Sequence, residues 1–550
     1  MSLAERLARP EILSLPAFDL GGRAADPFGA NAIKLDANEN PYPPLGPKGV
    51  NRYPEPQPAR LRAAMAALYG VAPASFLVTR GGDDAIDLLI RAFCRGGQDA
   101  VSVCLPTFSA YAHFARLQGA RVIEARLGND FAFEPERLIA AVAGEPDLKL
   151  AFICSPNNPT GTPVDPADVL RVADALPDTL IVLDEAYLEF SDTPSLASEA
   201  NRRPNLVVLK TLSKAFGLAG ARVGGLIGPP DIIAMVGRAA PPYPLPTLCI
   251  EAAEASLAPA RRAIHLERIE ELKAERARLA PLLERSPIVR RLHASQGNFL
   301  FVEVDDAAGL SRRLDALGIR VRFRENAAPG GVRLTIGTRE ENDAALRAFG
   351  VPVGVERPAR RAELVRDTKE TRIAVAVDLD RAEPRRIATG VPFFDHMLDQ
   401  VAAHGNFSLV LACDGDLEID PHHSLEDCAI ALGQALGTAL DDKRGIGRFG
   451  FALPMDETEA QVLIDLSGRP FCRFEGSFSS SHIGDYPTEM TPHLFRSLAD
   501  SMRAAIHVRV DGDNDHHKVE ACFKAFGRAL RQAVAREGSG DALPSTKGVL

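Results

Sequence analysis

Three short polar motifs in the first half of the chain each follow an apolar run. They are SPNNPTG (155–161), LIVLDEAY (180–187) and TLSKAFG (211–217), and Arg222 lies eight residues after the lysine of the third motif. A lysine amine can bind an aldehyde cofactor covalently and then move a proton, and a carboxylate can keep a pyridine nitrogen protonated so that the ring withdraws electrons. This ordered set predicts chemistry with pyridoxal 5'-phosphate (PLP).

Each motif has a predicted role in holding that cofactor. Lys214 is the covalent amine, and Asp184, which ends an apolar run where an unpaired carboxylate is costly to bury, is the partner of the pyridinium. Asn157 and Tyr187 are predicted to hydrogen-bond the ring oxygen. The predicted phosphate cradle combines an arginine, two hydroxyls and backbone N–H groups at a helix start: Arg222, Thr211, Ser213, Gly82 and Asp83. Taken singly, each motif has a purely structural alternative, a strand-to-loop turn or a helix cap.

The elements that must position these residues alternate between helix and strand patterns from Leu61 to about Gly237. The apolar runs include SFLVT, AVSVCLP, LKLAFICSP, TLIVLDEAY and NLVVLKTLS. This alternation predicts a parallel α/β sheet, in which ligand-binding loops collect at the carboxyl ends of the strands. After a proline-rich break at 240–247, a charged helical stretch and the strand-like runs NFLFVEV and VRLTIG predict a smaller α+β subdomain.

A second type of chemistry is indicated by the sequence HHxxE, which occurs twice in the second half. Residues i and i+4 share a helix face, so His422 with Glu426 can bind one metal ion and His516 with Glu520 another. An equivalent histidine, a strand-like segment and an apolar helical run accompany each motif, which predicts two repeated halves.

The remaining histidines of the repeats complete the predicted metal sites. His423 and His517 point about 100° away from their neighbours, so each is predicted to reach the opposite site across a pseudo-twofold axis, while His396 and His493 complete one site each. Three imidazoles and one carboxylate leave octahedral positions open and favour Mn(II) or another divalent transition ion over structural zinc, with two ions per active site.

Composition sets limits on the class of protein. A chain of 550 residues with 46% hydrophobic and 25% charged residues predicts two to four domains. The net charge of −10 argues against a nucleic-acid or anionic-membrane partner. Eight scattered cysteines without a CxxC pair, and the lack of a signal-like or membrane-spanning apolar run, favour a cytoplasmic protein acting on small molecules.

The motifs of the first half resemble fold-type I aminotransferases. LDANENPY (35–42), NRYPEPQ (51–57), RGGDDAIDLLIRAF (80–93) and RLTIGTREEN (333–342) narrow the resemblance to the histidinol-phosphate branch, over almost all of residues 10–350. The resemblance implies a catalytic dimer and a set of residues that bind the substrate: Asn38, Tyr53 reaching the active site of a partner subunit, Arg333 for an anionic group, and Arg324 as a further candidate.

Two segments depart from that family's usual pattern. The motif PTF stands where the family commonly has PTY, so Phe108 is the expected residue that stacks on the cofactor ring, with Tyr111 as the alternative. LPAFDLGG (15–22) stands where the family usually has a tyrosine-containing segment that contributes to a lid.

The second half resembles imidazoleglycerol-phosphate dehydratase over about residues 366–550. The motifs that carry the likeness are FFDHMLDQ (393–400), HHSLED (422–427), KRGIGRFG (443–450), DLSGRP (465–470), NDHHKVEA (514–521) and PSTKGVL (544–550). The resemblance implies a duplicated fold with helices between sheets, metal sites at subunit interfaces, and trimers that assemble into a 24-mer. It also implies Glu370 as the acid/base residue and a group around substrate and phosphate: His404, Arg448, Arg469, Ser545 and Lys547.

Together the resemblances imply a PLP-dependent aminotransferase at 1–355, a linker at 356–366 and a dehydratase at 367–550. The expected reactions are consecutive steps of histidine biosynthesis: dehydration of D-erythro-imidazole-glycerol phosphate to imidazole-acetol phosphate, then transamination with L-glutamate to L-histidinol phosphate and 2-oxoglutarate. Two alternatives remain open. The first half could be another PLP enzyme, such as an amino-acid phosphate decarboxylase or an aromatic aminotransferase, and the second half could be a non-catalytic, metal-dependent oligomerisation module.

Overall fold

The protein folds into two compact units, Met1–Leu257 with Arg268–Val355 and Ala258–Glu267 with Glu356–Leu550. The computed structural model describes residues 2–15, 35, 37–44, 49–353, 360–443, 445–450 and 453–536, of which residues 453–455 are described by their backbone alone. The sequence did not indicate that Ala258–Glu267 belongs to the second unit. The boundaries at 355 and 367 remain predictions.

A seven-stranded sheet forms the centre of the first unit. Its strands are β1 (Phe76–Thr79), β2 (Ala100–Leu105), β3 (Arg121–Arg126), β4 (Leu148–Cys154), β5 (Leu180–Asp184), β6 (Leu206–Thr211) and β7 (Gly224–Ile227). They are ordered β1-β7-β6-β5-β4-β2-β3. Strands β2 to β6 are parallel, as predicted, but β7 is antiparallel to both neighbours. The chain returns from β6 to β7 through a loop without a crossover helix, and parallel pairing would require such a crossover.

Helices cover both faces of this sheet, which is why its central strands are almost continuously apolar. Strand β6, for example, is buried along its whole length. The helices are α1 (Leu3–Leu7), α2 (Pro10–Ser14), α3 (Ala59–Leu68), α4 (Gly82–Phe93), α5 (Ala110–Gln118), α6 (Pro135–Ala141), α7 (Pro166–Ala175), α8 (Ala197–Ala200) and α9 (Pro230–Ala239). The two faces carry separate apolar cores.

The predicted α+β subdomain is a four-stranded antiparallel sheet with its own core. Its strands, ordered β10-β11-β9-β8, are β8 (Val289–His293), β9 (Phe299–Val304), β10 (Arg322–Phe323) and β11 (Gly331–Thr335). The later helices of this region are α10 (Thr247–Leu257), α11 (Pro259–Glu284), α12 (Ala307–Ala316) and α13 (Arg339–Ala348). The part of α11 up to Glu267 is counted with the second unit. A reciprocal capping box between Thr338 and Glu341 fixes the start of α13.

The second unit consists of two halves with the same order of elements. The first half contains β12 (Arg361–Asp367), β13 (Thr371–Asp378), β14 (Arg385–Ala388), α14 (Pro392–Gly405), β15 (Ser408–Gly415) and α15 (His422–Ala439). The second contains β16 (Phe449–Gly450), β17 (Leu453–Met455), β18 (Thr458–Asp465), β19 (Phe471–Glu475), β20 (His482–Ile483), β21 (Tyr486–Pro487), α16 (Met490–Met502), β22 (Ala505–Asp511) and α17 (Asp515–Val534). The strand orders β12-β13-β15-β14 and β16-β18-β22-β19 correspond, with β17 also pairing β18.

The four helices of this unit lie between its two sheets around one shared core. Helix α14 of the first half packs against α17 of the second, and α15 packs against α16. The close approach of α14 to α17 depends on Gly527, where an added Cβ would lie 2.6 Å from the carbonyl oxygen of Val401. Among the described helices, none has the length and apolar character that crossing a membrane requires.

Candidate active sites

A cavity at the carboxyl ends of β4, β5 and β6 gathers most of the residues predicted to hold PLP. The predicted residues that line it are Gly82, Asp83, Phe108, Asp184, Tyr187, Thr211, Ser213, Lys214 and Arg222. The parallel strands bring these loops together, although they are far apart in sequence. Asn157 does not line the cavity, and Asn158 does.

The side chain of Asn157 is used within its own loop. Its Nδ2 donates to the carbonyl oxygen of Pro106 and to Oγ1 of Thr160, and its Oδ1 accepts from Thr107. By contrast, Nδ2 of the neighbouring Asn158 lies 3.4 Å from the hydroxyl of Tyr187, and its Oδ1 accepts from Arg333. The structure therefore favours Asn158 over the predicted Asn157 as the cofactor-facing amide.

Asp184 is buried at the end of β5. Its Oδ1 accepts from the backbone N–H of Ala186, and its Oδ2 accepts from the hydroxyl of Tyr111 at 2.6 Å. Burial raises the pKa of Asp184, whereas the hydrogen bond from Tyr111 lowers it. Tyr111 is itself fully buried and stacks on Phe152 at 4.8 Å. It therefore supports the carboxylate, and Phe108, which contacts it edge to face, is the aromatic residue that lines the cavity.

Lys214 lies in the loop after β6 with its Nζ 5.6 Å from the centre of the Tyr187 ring. Desolvation in the cavity lowers the pKa of the Lys214 amine, and the positive charges of Arg333 and Arg222 lower it further. A lowered pKa increases the neutral fraction of the amine, which is the form that reacts with an aldehyde and accepts a proton.

The predicted phosphate cradle lies between the start of α4 and the loop after β6. The guanidinium of Arg222 donates to Oγ of Ser213 at 3.4 Å and to Oδ2 of Asp83 at 3.4 Å. It also packs on the backbone of Gly81, the N-cap of α4, whose φ of 82° is in the left-handed region. A Cβ at Gly81 would lie 2.7 Å from the Arg222 guanidinium and would displace it, while the backbone conformation of this position favours glycine. No sequence motif had indicated a role for Gly81.

Arg333, on β11 of the small subdomain, does not line the cavity itself but contacts Asn158, which does. It donates to Asn158, and its guanidinium lies 5.4 Å from the centre of the Phe299 ring. Desolvation lowers the pKa of Arg333, and the charges of Arg324 and Arg322 contribute to this shift. The Nε of Arg333 is buried and has no hydrogen-bond partner among the described residues. A donor of this kind suits an anionic group of a ligand.

The structure does not bring Asn38 and Tyr53 to this cavity. Tyr53 is about half exposed, stacks on Tyr243 at 4.4 Å, and donates its backbone N–H to the buried carboxylate of Glu39. Asn38 is exposed with a φ of 54°. Of the LPAFDLGG segment, residues 16–22 lie outside the described residues.

The donor set of the cavity fits PLP. One amine of lowered pKa, one buried carboxylate, an aromatic ring, and a cradle of an arginine, hydroxyls and a helix N-terminus match the aldehyde, the ring nitrogen, the ring face and the phosphate of that cofactor. The unpartnered Nε of Arg333 adds a donor for an anionic substrate.

Two His–Glu clusters form in the second unit, and each combines residues from both halves. In the first, Nε2 of His422 and Nε2 of His493 lie 3.5 Å and 3.2 Å from the two oxygens of Glu426. In the second, Nε2 of His396 and Nε2 of His516 lie 3.7 Å and 3.5 Å from the oxygens of Glu520. The pairing follows from the packing of α15 on α16 and of α14 on α17.

The geometry of the first cluster fits metal ligands, whereas in the second an oxygen of Glu520 also binds Nζ of Lys524 at 2.8 Å. All four imidazoles turn Nε2 toward the carboxylate, and the potential ligand atoms of His422, Glu426 and His493 lie within 4.8 Å of one another. The Nε2 of His493 is buried and makes no hydrogen bond to a described residue, although the carboxylate is 3.2 Å away. Donor atoms that converge without hydrogen-bonding one another are typical of groups that share a cation.

The second histidine of each HHxxE motif, His423 or His517, is hydrogen-bonded outside the two clusters. The prediction that each of these rings reaches the opposite metal site is therefore not met within the single chain. Nδ1 of His423 lies 3.1 Å from Oδ2 of Asp416. Nδ1 of His517 lies 3.0 Å from both oxygens of Glu457. No sequence motif had indicated either of these carboxylates. Adjacent residues of a helix point in different directions. The third member of each cluster, His493 or His396, therefore comes from the helix that packs alongside.

Glu370 lies in the turn between β12 and β13, with Oε2 4.0 Å from Nδ1 of His423. The turn is held by Thr371, whose hydroxyl donates to Asp427 at 2.5 Å, and by Arg366, which binds the same carboxylate. Asp427 directly follows the metal-ligand candidate Glu426, so one buried carboxylate joins the turn to the helix of the first cluster.

The predicted basic group is only partly assembled. Arg448 binds Asp465 at 2.7 Å and lies near Lys443, whose pKa is lowered by desolvation and by Arg503. His404, in the last turn of α14, has a pKa lowered by desolvation and by the charges of Lys524 and Arg528. Arg469 is exposed. Ser545 and Lys547 lie outside the described residues.

Fold and site together define a PLP-type aminotransferase joined to a second, His–Glu-bearing unit. The sequence profile of aminotransferase class I and II matches residues 30–349, and the chain belongs to this family. The profile of imidazoleglycerol-phosphate dehydratase matches residues 389–530. Both predicted resemblances are confirmed.

Curated relatives are similar to part of the chain. A histidine biosynthesis bifunctional protein HisB of Stenotrophomonas maltophilia (strain K279a) is 60% identical over 191 residues, which cover 35% of this chain and 53% of that protein. The protein of the same name from Xylella fastidiosa (strain 9a5c) is 55% identical over 209 residues, or 35% of this chain and 55% of that protein. The chain therefore spans about half the length of the curated relatives it matches.

Solved structures are similar to the first unit's fold. A structure named "Putative histidinol-phosphate aminotransferase" from Erwinia carotovora atroseptica is 26% identical, with a TM-score of 0.50, and covers 55% of this chain and 87% of that chain. The histidinol-phosphate aminotransferase of Clostridium acetobutylicum has a TM-score of 0.50 at 22% identity, over 55% of this chain and 90% of that one, and shows the fold alone.

Proposed function

We propose that this chain is a bifunctional enzyme of histidine biosynthesis that dehydrates D-erythro-imidazole-glycerol phosphate and transaminates the product, imidazole-acetol phosphate, with L-glutamate. The observation that carries the proposal is the presence, in one chain, of a lysine–aspartate–arginine cavity and of two clusters, His422–Glu426–His493 and His396–His516–Glu520. The family profiles, the names of the curated relatives and the Erwinia structure support the two activities and their pathway. The products would be L-histidinol phosphate and 2-oxoglutarate, and eight free cysteines support a cytoplasmic setting.

In the first unit, Lys214, Asp184 and Arg222 would hold PLP by its aldehyde, ring nitrogen and phosphate. When bound, the cofactor supplies an electron-withdrawing ring that makes the Cα–H bond of an amino acid acidic. Lys214 then accepts and returns a proton through Nζ, for which its lowered pKa is suited. Asn158 and Tyr187 are the proposed hydrogen-bond donors to the ring oxygen, and Phe108 covers the ring.

Arg333 is proposed to bind an anionic group of the substrate, either the carboxylate of glutamate or the phosphate of the keto substrate. Its unpartnered buried Nε and its hydrogen bond to Asn158, which lines the cavity, support this role. Arg324 is the second cation in this region. Tyr53 is proposed to complete the site of a partner subunit, for which its exposure and its anchoring by Glu39 are suited.

In the second unit, the two clusters would hold divalent cations, for which we propose Mn(II). When bound, the cations withdraw electron density from the imidazole of the substrate. Glu370 removes the proton on the carbon next to the one that loses its hydroxyl, and His404, Arg448 and Arg469 bind the polar groups and the phosphate. Ser545 and Lys547 are assigned to the same role on the resemblance alone.

Each cluster in the single chain supplies two imidazoles and one carboxylate, one imidazole fewer than the predicted set. We propose that His423 and His517 supply the remaining imidazoles between copies of the chain. This proposal agrees with the expected interfaces of dehydratase trimers and of a 24-mer, while the first unit pairs as dimers. The separation of both rings from the clusters of their own chain supports it.

The deciding experiment incubates purified protein with imidazoleglycerol phosphate, MnCl2, PLP and L-glutamate, and follows histidinol phosphate by mass spectrometry. We expect histidinol phosphate only when all components are present. Accumulation of the keto phosphate without transamination would contradict the first half of the proposal. No consumption of imidazoleglycerol phosphate, with the metal bound, would leave the second half as an oligomerisation module.

A further inference from the structure

Two glutamates occupy equivalent positions in the two halves of the second unit. Glu370 precedes Thr371, the first residue of β13, and Glu457 precedes Thr458, the first residue of β18. The strand registers show the equivalence. The residue after each threonine pairs with an aspartate near the end of the neighbouring strand, Arg372 with Asp414 and Glu459 with Asp511.

These equivalent glutamates have different relations to the histidine beside them. Both oxygens of Glu457 lie 3.0 Å from Nδ1 of His517. The nearest oxygen of Glu370 lies 4.0 Å from Nδ1 of His423, because Asp416 occupies that nitrogen at 3.1 Å.

The difference arises in the loop after the third strand of each half. Asp416 follows Asp414 and Gly415 at the end of β15 and is largely buried, with its side chain 14% exposed. Its sequence counterpart in the second half is Asp513, which follows Asp511 and Gly512 and is exposed. A hydrogen bond from Nδ1 to a carboxylate fixes the tautomer and orientation of an imidazole and leaves Nε2 as the nitrogen for a metal.

We propose that Glu457 is a positioning residue that holds the His517 ring with Nε2 available as a metal ligand, whereas its counterpart Glu370 is left for proton transfer. The proposal rests on the proposed dehydratase function and adds an assignment within it. In the first half, Asp416 orients His423, and Glu370 is left for proton transfer. In the second half, Glu457 itself orients His517.

The test measures Mn(II) binding to the full-length protein, stripped of metal with a chelator and titrated with MnCl2, with free Mn(II) detected by electron paramagnetic resonance. Glu457→Ala is expected to weaken at least one Mn(II) site by about 10–100-fold. Glu457→Gln is expected to recover most of the affinity, because an amide oxygen still accepts from Nδ1–H. The matched control is Glu459→Gln, which removes the same charge from an exposed position two residues away.

Glu370→Gln separates the two roles. It is expected to retain Mn(II) affinity while dehydration is lost. Should Glu457→Ala fail to assemble, Glu457→Asp replaces it, since the shorter side chain keeps the charge but withdraws the oxygens from Nδ1, and the same loss of affinity is expected.

Two results would overturn the assignment. One is unchanged Mn(II) affinity in assembled Glu457→Ala or Glu457→Asp protein, and the other is an equal loss in Glu457→Gln, which would make Glu457 itself a ligand. A wild-type protein that binds no Mn(II) and dehydrates nothing would instead refute the proposed function. Wild-type activity together with unchanged variants would refute only the role of Glu457.

Discussion

The hydroxyl of Tyr111 lies 2.6 Å from Oδ2 of Asp184, and both side chains are buried. The tyrosine thus stabilises the charged form of a carboxylate that burial would otherwise favour in its neutral form. Tyr111 was the alternative candidate for stacking on the cofactor ring. In the structure it instead contacts Asp184, the residue proposed to bind the pyridine nitrogen.

Replacing Tyr111 by Phe is expected to raise the pKa of Asp184 further, because the hydrogen bond that lowers it is lost while burial remains. Since the carboxylate acts in its charged form, transaminase activity should fall off at a higher pH on the acid side than in the wild type. PLP affinity should fall by about tenfold, which corresponds to one hydrogen bond to a charged group. The pH profile of kcat/KM and a PLP titration measure both effects.

Tyr69→Phe is the matched control for that substitution. Tyr69 is a second tyrosine whose hydroxyl is buried, and this hydroxyl has no hydrogen-bond partner among the described residues. Its replacement should leave the acid limb unchanged. Equal shifts in both variants would show that the effect of Tyr111 is general packing.

Gly81→Ala is expected to destabilise the first unit and to weaken PLP binding. With a φ of 82° and a ψ of −179°, this position lies in a backbone region that is essentially restricted to glycine and costs an alanine about 1–3 kcal/mol. The added Cβ would also displace the guanidinium of Arg222. Gly237→Ala is the control, because Gly237 lies in α9 outside the residues that line the cavity and its Cβ would meet only Leu77, at 3.9 Å. Thermal unfolding and PLP titration should separate the two variants, and similar values would contradict the proposed contact.

Arg333→Leu is expected to raise the pKa of Lys214. Desolvation is the largest cause of its lowered pKa, and the charge of Arg333 is the next. Removing this charge should move the titration of the amine to higher pH, as measured by the pH dependence of ¹³C-methylated Lys214 signals in the cofactor-free protein. Arg324→Leu, which does not contribute to the shift of Lys214, should leave that titration in place.

Glu370→Gln should lower the dehydration rate by about 10²–10⁴-fold, the range for loss of a general acid/base, without changing transamination by the same protein. The ratio of the two activities in one preparation is therefore the measurement. The transaminase activity shows that the preparation remains folded. Retained dehydration would remove Glu370 from the mechanism.

His493→Ala should reduce the metal content of the purified protein, because Nε2 of this residue is 3.2 Å from Glu426 in the first cluster. His482→Ala is the control, since His482 is exposed and contacts only Ser481 among the described hydrogen-bond partners. Metal analysis after dialysis compares the variants. Equal metal contents would exclude the first cluster as a binding site.

The chemistry-bearing residue types of both units could be predicted from local patterns. Lys214, Asp184 and Arg222 stand in motifs after apolar strands, and an α/β sheet brings such loops together at one edge. The choice between Asn157 and Asn158 could not be made in this way, since both share a loop and only the three-dimensional path of its backbone decides which amide meets the cavity.

The composition of the metal clusters shows the same limit. The i, i+4 spacing correctly placed His422 beside Glu426 and His516 beside Glu520, because this relation is contained in a single helix. Which further histidine joins each pair depends on the packing of α15 on α16 and of α14 on α17, a tertiary property. Glu457 gave no signal, since an exposed acid in a turn is common in any sequence.

Because His396 joins Glu520 and His493 joins Glu426, neither half of the second unit contains a complete cluster. A fragment cut between the halves would carry one lone histidine helix and one HHxxE helix, and it would gather the same ligands only by pairing with another fragment. A single repeat would thus bind its cation only as a homodimer, and the two-repeat chain holds both members of that pair in one polypeptide.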